Sequence, residues 1–118
     1  MSQSYQQVTQ EIGAALEEIR KEIPPVLNGF YTMSRAANKD GVLSHKTKEL
    51  IAMAIAITAR CEGCLGFHAQ TLVKLDVSRE EFMEMLGVAI YMGGGPSLMT
   101  AAEALMAFDE FSGQKNKP

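Results

Sequence analysis

Cys61 and Cys64 are the only two cysteines of the chain, and His68 is one of its two histidines. On a helix, at about 100° per residue, positions 61, 64 and 68 fall on one stripe. One turn would therefore bring two thiols and an imidazole together. Twelve residues before Cys61, Glu49 opens the run LIAMAIAITA, which is apolar on every face. A helix apolar all round is a buried helix, so a carboxylate at its start is expected in or near the interior. Such a group is costly unless it is paired or put to use. Glu49, Cys61, Cys64 and His68 read as one redox site.

Thiol redox chemistry needs a thiolate that attacks and a second sulfur that resolves the product. Three-residue spacing at a helix start allows a small disulfide that can open. A histidine four residues after Cys64 can hydrogen-bond that thiol and carry its proton, and Glu49 can orient the ring or hold a bridging water. Helix geometry leaves open which cysteine attacks. The positive end of the helix and Arg60 favour a low pKa at Cys61, whereas the i, i+4 relation to His68 favours Cys64. Two plainer readings compete. Cys61, Cys64, His68 and Glu49 could ligate a zinc ion, although structural zinc usually sits in a loop-rich module. The thiols could also be core residues beside a satisfied histidine. A thioredoxin-like reading fails for want of a βαβ pattern.

The rest of the composition sets bounds. At 118 residues the chain is expected to form one domain with a single core. Its net charge is −3, with no Lys/Arg cluster, so neither a nucleic-acid nor a membrane partner is expected. No basic-then-apolar leader opens it, and the run Leu50–Ala59 is about half a bilayer span. A cytoplasmic protein with reduced or cycling thiols is the expectation. Met33, Met53, Met85, Met92 and Met99, of eight methionines, read as core filler or subunit-interface packing.

The elements that must position the four residues are all helical. Residues 5–22 form an amphipathic helix with Val8, Ile12, Leu16, Ile19 and Ile23 on one side. Pro24-Pro25 ends it and starts a second, whose stripe is Val26, Leu27, Phe30, Met33, Ser34 and Ala37. Asn38 to Gly41 is a turn. Ser44 caps the helix that carries Glu49, and His45, beside Lys46 and Lys48, reads as a solvated side chain. A single helix through Leu75 would be too long, so a break is expected within Cys61–Cys64, loosened by Gly63 and restarted by Glu62. Ser78-Arg79-Glu80-Glu81 is a capping box, with Val77 and Phe82 as its hydrophobic staple. Phe82, Met85, Leu86, Ala89 and Met92 follow as a buried stripe. Gly93-Gly94-Gly95-Pro96 reads as a close link between helices rather than an anion site. Pro96 starts a last helix with Leu98, Ala101, Ala102, Leu105 and Phe108 inward, and residues 113–118 form a frayed tail. No period-two pattern occurs, so the fold class is all-α, with about six helices.

The spacing of Glu49 and Cys61-x-x-Cys64-x-x-x-His68, followed by the Ser-x-x-Glu helix start and the Gly-Gly-Gly-Pro turn, resembles the carboxymuconolactone decarboxylase-like superfamily. Within it the match is to the alkylhydroperoxidase D-like branch, over about residues 20–110. The resemblance implies an all-α subunit assembling as a homotrimer or homohexamer. It implies that Cys64 is the peroxidatic cysteine, Cys61 the more exposed resolving cysteine, and His68 with Glu49 the relay that activates Cys64. No bound cofactor is implied; an external dithiol of dihydrolipoyl type, on a lipoyl carrier, would regenerate the enzyme, and a peroxiredoxin is a further partner. The family's full-length peroxidases carry a histidine between the two cysteines that helps the relay, whereas Gly63 stands there in this chain. The superfamily's true decarboxylases lack the cysteine pair. The expected activity is reduction of hydrogen peroxide or small organic hydroperoxides. The alternatives are a lyase acting on a small lactone acid, or a non-catalytic zinc-bound or oligomeric scaffold.

Overall fold

Prolines, glycines and serine caps divide the chain into α1 (Tyr5–Glu22), α2 (Pro24–Asn38), α3 (His45–Ala59), α4 (Glu62–Lys74), α5 (Arg79–Gly93) and α6 (Gly95–Lys115). The computed structural model describes residues 3–116, and among these there is no strand. Ser44 accepts the Thr47 N–H at the start of α3. Ser78 and Glu81 close both halves of the capping box that starts α5. Each such cap satisfies N–H groups that the first helical turn leaves without partners.

α4 lies at the centre, packed on α6, α3 and α1. Met53 and Ile57 of α3, Leu65 and Leu72 of α4 and Phe82 of α5 are fully buried. Phe82 stacks on Phe108 of α6 with ring centroids 4.2 Å apart. α1 reaches α4 through its first turns. Glu110 accepts the N–H groups of Tyr5 at 3.0 Å and Gln6 at 2.8 Å, placing a carboxylate at the positive end of α1. Glycines 63 and 66 make room for the approach. A Cβ at Gly63 would stand 2.7 Å from Ile12 Cδ1, and one at Gly66 the same distance from Thr9 Cγ2.

The inward stripes differ from the expected ones wherever the packing partner decides the matter. In α1 only Tyr5, Val8 and Thr9 are buried, while Ile19 and Ile23 are exposed. α2 buries Leu27 alone. It touches only α1 and α3, which leaves Val26, Phe30 and Met33 uncovered within one subunit. Met92 and Met99 are also exposed. In α6 the inward set is Ser97, Thr100, Ala101, Ala104, Ala107, Phe108 and Phe111, with Leu98 and Ala102 outside. Ala101 and Phe108 thus face inward as expected, with Ala104 and Ala107 between them and α6 packed on α4. The Gly-Gly-Gly-Pro segment is the close link expected. A Cβ at Gly93 would fall 1.8 Å from Ser97 Oγ, and Gly94 takes φ +76°, where side chains are disfavoured.

The frayed tail is corrected as far as Asn116. α6 continues to Lys115, whose ammonium donates to the Val73 carbonyl at 2.9 Å and pairs with Asp76. That contact binds the end of α6 to the last turn of α4 and holds the Asp76 carboxyl below its usual pKa. Positions 117 and 118 lie outside the described residues. No helix among the described residues is long and apolar enough to cross a membrane.

Candidate active site

The break between α3 and α4 sets the site. Arg60 adopts left-handed backbone at φ 56°. The Cys61 N–H bonds back to the Ala56 carbonyl at 3.1 Å and the Arg60 N–H to that of Ile57 at 3.2 Å. These two bonds form a Schellman ending. The break thus belongs to Arg60, and Gly63 lies inside α4 facing α1, which corrects the role expected for that glycine. The same ending recurs after α4, with Asp76 at φ 59° and the Val77 N–H bonded to the Leu72 carbonyl.

Cys61 is therefore not on the helical stripe. It is the N-cap of α4, in extended backbone, and its sulfur accepts the Cys64 N–H at 3.2 Å. The two sulfurs are joined in a disulfide with Cα atoms 5.1 Å apart. Cys64 packs against the hydrophobic core. His68, one turn further on the same face of α4 as Cys64, is partly exposed. Among the described residues no cluster of three or more His, Cys, Asp or Glu side chains is arranged as metal ligands.

Because the two-residue link folds α4 back along α3, Glu49 reaches His68 across the pair of helices. His68 Nδ1 lies 2.6 Å from Glu49 Oε2, a short contact of the charge-assisted kind. Glu49 is only 4% exposed, as the apolar run after it predicts. Burial pushes its pKa up. The hydrogen bond and charge of His68, followed by the charge of His45, outweigh that burial and hold the carboxyl below its ordinary value. With Nδ1 taken by the carboxylate, Nε2 is the ring nitrogen left for proton traffic at the sulfurs. Glu49 and His68 are thus in contact, as are Cys61 and Cys64, with His68 one turn beyond Cys64 on α4.

One partner was not anticipated. His45, expected as a solvated side chain, is partly exposed and also stands beside Glu49. Its Nε2 lies 3.6 Å from Glu49 Oε1, within ion-pair range, so the carboxylate stands between two imidazoles. The signal was present in the i, i+4 spacing of His45 and Glu49. An open cavity of about 550 Å³ adjoins this pair, lined by Glu49, His45, Thr71, Arg35, Lys39 and Asp40 among others.

The comparisons with known proteins agree with this architecture. The profile of the Carboxymuconolactone decarboxylase family matches residues 24–107. An uncharacterized protein of Cupriavidus necator is 35% identical over 109 residues, covering 86% of this chain and 96% of its own. Uncharacterized protein 4 in the cox locus of Paracoccus denitrificans is 32% identical over 100 residues, covering 85% of this chain and 90% of its own. The crystal structure of an apo carboxymuconolactone decarboxylase family protein from Legionella pneumophila superposes with a TM-score of 0.90 at 58% identity. That match covers 92% of this chain and 96% of that one.

Proposed function

The chain belongs to the carboxymuconolactone decarboxylase family, and we propose that within it this protein is a thiol-dependent peroxidase of the alkylhydroperoxidase D-like branch. One observation carries the reading: a Cys61–Cys64 disulfide at the start of α4 stands one turn from an imidazole bound to a buried carboxylate. In the reduced enzyme His68 Nε2 takes the Cys64 proton. The thiolate attacks the distal oxygen of hydrogen peroxide or a small organic hydroperoxide. The S–O bond forms, the O–O bond breaks, and the leaving water or alcohol carries away the proton held on His68. Cys61 then attacks the sulfenic acid of Cys64, forming the disulfide and releasing water. The assignment of Cys64 as the attacking sulfur rests on the family resemblance. It is supported by the position of Cys64 against the core and on the His68 face, with Cys61 outside the helix proper. An external dithiol of dihydrolipoyl type, on a lipoyl carrier, reopens the disulfide, with a peroxiredoxin as a further partner. The subunit works as a homotrimer or homohexamer in the cytoplasm.

Titration of thiols during peroxide addition tests this directly. The parent should lose two thiols per chain to a Cys61–Cys64 disulfide, and Cys64→Ser should abolish turnover with a dithiol donor. Peroxide consumption undiminished in the double Cys→Ser variant would overturn it. The cavity favours a second reading. Arg35 and Lys39 beside the Glu49–His45 pair would suit a small anionic lactone and an acid–base lyase, whose activity would survive loss of both sulfurs.

A further inference from the structure

We propose that His45 is the outer member of the relay, a positioning residue acting through Glu49, so that protons pass between His68 and the open cavity along a His68–Glu49–His45 chain. This rests on the peroxidase reading for its chemistry but on geometry for its parts. The two histidines of the chain both face one carboxylate, which presents Oε2 to His68 at 2.6 Å and Oε1 to His45 at 3.6 Å. The cavity is lined by His45, Glu49 and Thr71 but by neither cysteine nor His68. Cys64, His68 and Thr71 follow one another along a single face of α4. The sulfurs therefore lie at one end of the chain of groups and the cavity at the other, and His45 stands where Glu49 meets the cavity.

The ring is tethered for this position. Ser44 caps α3, and Asp40 Oδ1 accepts the His45 backbone N–H at 2.7 Å, which fixes the helix start one turn before Glu49. The other charged groups around it are Arg35, Lys39 and Asp40 across the cavity, with Lys46 and Lys48 in its own turn. Lys46 is paired with Glu81 of α5 at 2.8 Å, and Lys48 donates to the Lys39 carbonyl at 2.6 Å. Glu49 is the carboxylate within ion-pair range of the His45 ring.

The reductive half of the cycle gives such a chain its use. A donor thiolate attacks Cys61, the S–S bond breaks, and the electron pair leaves on Cys64. His68 protonates that sulfur from Nε2–H as its Nδ1 takes a proton from Glu49, and Glu49 is resupplied from the cavity through His45. The donor's second thiolate then displaces Cys61, which takes its proton from solvent. Two electrons come from the dithiolate and two protons from water.

His45→Gln, a good helix former that cannot carry a proton, tests the chain. It should lower kcat with a dithiol donor about tenfold, less than the roughly 100-fold or more of a group that acts directly, since it acts at one remove. KM for the hydroperoxide should hold, and the pH profile should change shape. Free imidazole, small enough for the cavity, should restore His45→Ala; a structural role for the ring predicts no such rescue. Unchanged turnover and pH profile in His45→Gln would overturn the proposal. A readout independent of activity is the carboxyl carbon resonance of Glu49, assigned by its loss in Glu49→Gln. Its titration midpoint should rise in His45→Gln, and an unmoved midpoint would also overturn the proposal. If the parent proves inactive toward peroxide while that midpoint rises, the peroxidase reading fails and the coupling of His45 to Glu49 stands.

Discussion

Glu49→Gln separates catalysis from stability more sharply than any other single change. Glutamine keeps the length of the side chain and a carbonyl that can accept the His68 Nδ1–H, so the 2.6 Å contact can persist as a neutral bond. What disappears is the negative charge that stabilises the imidazolium formed when His68 takes a proton. A charge-assisted bond contributes about 1.5–3 kcal/mol net, but removing the charge also lifts the cost of burying it in a 4% exposed position. The two effects oppose each other, and stability near neutral pH should change by no more than about 1.5 kcal/mol. Catalysis has no such offset, because the charge matters most when the proton is on His68. Loss of an oriented acid–base group costs on the order of 100-fold, or about 2.7 kcal/mol of barrier. Stopped-flow peroxide consumption and urea unfolding, each on reduced protein, measure the two quantities. The pH dependence adds a check. The carboxyl titrates below its ordinary value of 4.5 in the fold. Its contribution to stability is complete above that value and is lost as pH falls through the lower folded-state pKa. Parent and variant stability should therefore converge in acid. Equal turnover in parent and variant would refute the reasoning, and so would a stability loss as large as the catalytic one.

Two further outcomes follow from the packing. Gly63→His, which would place a histidine between the cysteines, brings a Cβ to 2.7 Å from Ile12 Cδ1, the free end of a side chain that can turn aside. It should cost about 1 kcal/mol of stability, the lower end for overpacking, recovered by Ile12→Ala, and an unchanged denaturation midpoint would contradict this. Ile51, Ile55, Val88 and Met92 line an exposed groove, and Val26, Phe30 and Met33 of α2 are exposed as well; apolar surface of this kind suits an interface between subunits. Light scattering at micromolar concentration should show an oligomer that Ile55→Asp weakens, and a monomeric parent would contradict it.

The helices and the inner ends of the site were legible because their signals are local. The capping box at Ser78 and the unbroken apolar run after Glu49 each specify structure through neighbours in sequence. What the sequence hid was set by contacts between helices. Nothing in the chemistry of arginine marks Arg60 for left-handed backbone; two bonds to the end of α3 impose it against a local cost of about 1–2 kcal/mol. The stripe of α2 has the right period, but periodicity identifies a face without saying which chain covers it. In α6 the expected face of Leu98, Ala101, Ala102, Leu105 and Phe108 is buried at Ala101 and Phe108 but not at Leu98 or Ala102, because the neighbouring helices select the face. His45, beside Lys46 and Lys48 in an exposed first turn, has the sequence surroundings of a solvated side chain. Weighed as the i−4 neighbour of a carboxylate about to be buried, it has a partner.

That carboxylate is the point at which fold and function meet. α3 is otherwise apolar where Glu49 enters the interior, and packing alone would be served as well by leucine, since replacing a buried ion pair with hydrophobic groups is often neutral or stabilising. The position becomes intelligible once the Arg60–Cys61 link is considered with it. Two residues between helices leave little freedom for α3 and α4 to slide, so Glu49 meets His68 across 19 residues of sequence while the same link holds Cys61 as the cap beneath Cys64. One short connection thus fixes the sulfurs against each other and the imidazole against its carboxylate. The charge of Glu49 is tolerated because the two imidazoles outweigh its desolvation. A carboxylate held ionised between two imidazoles keeps both rings oriented without moving, which the proposed thiol–disulfide cycle at a rigid helix start would use.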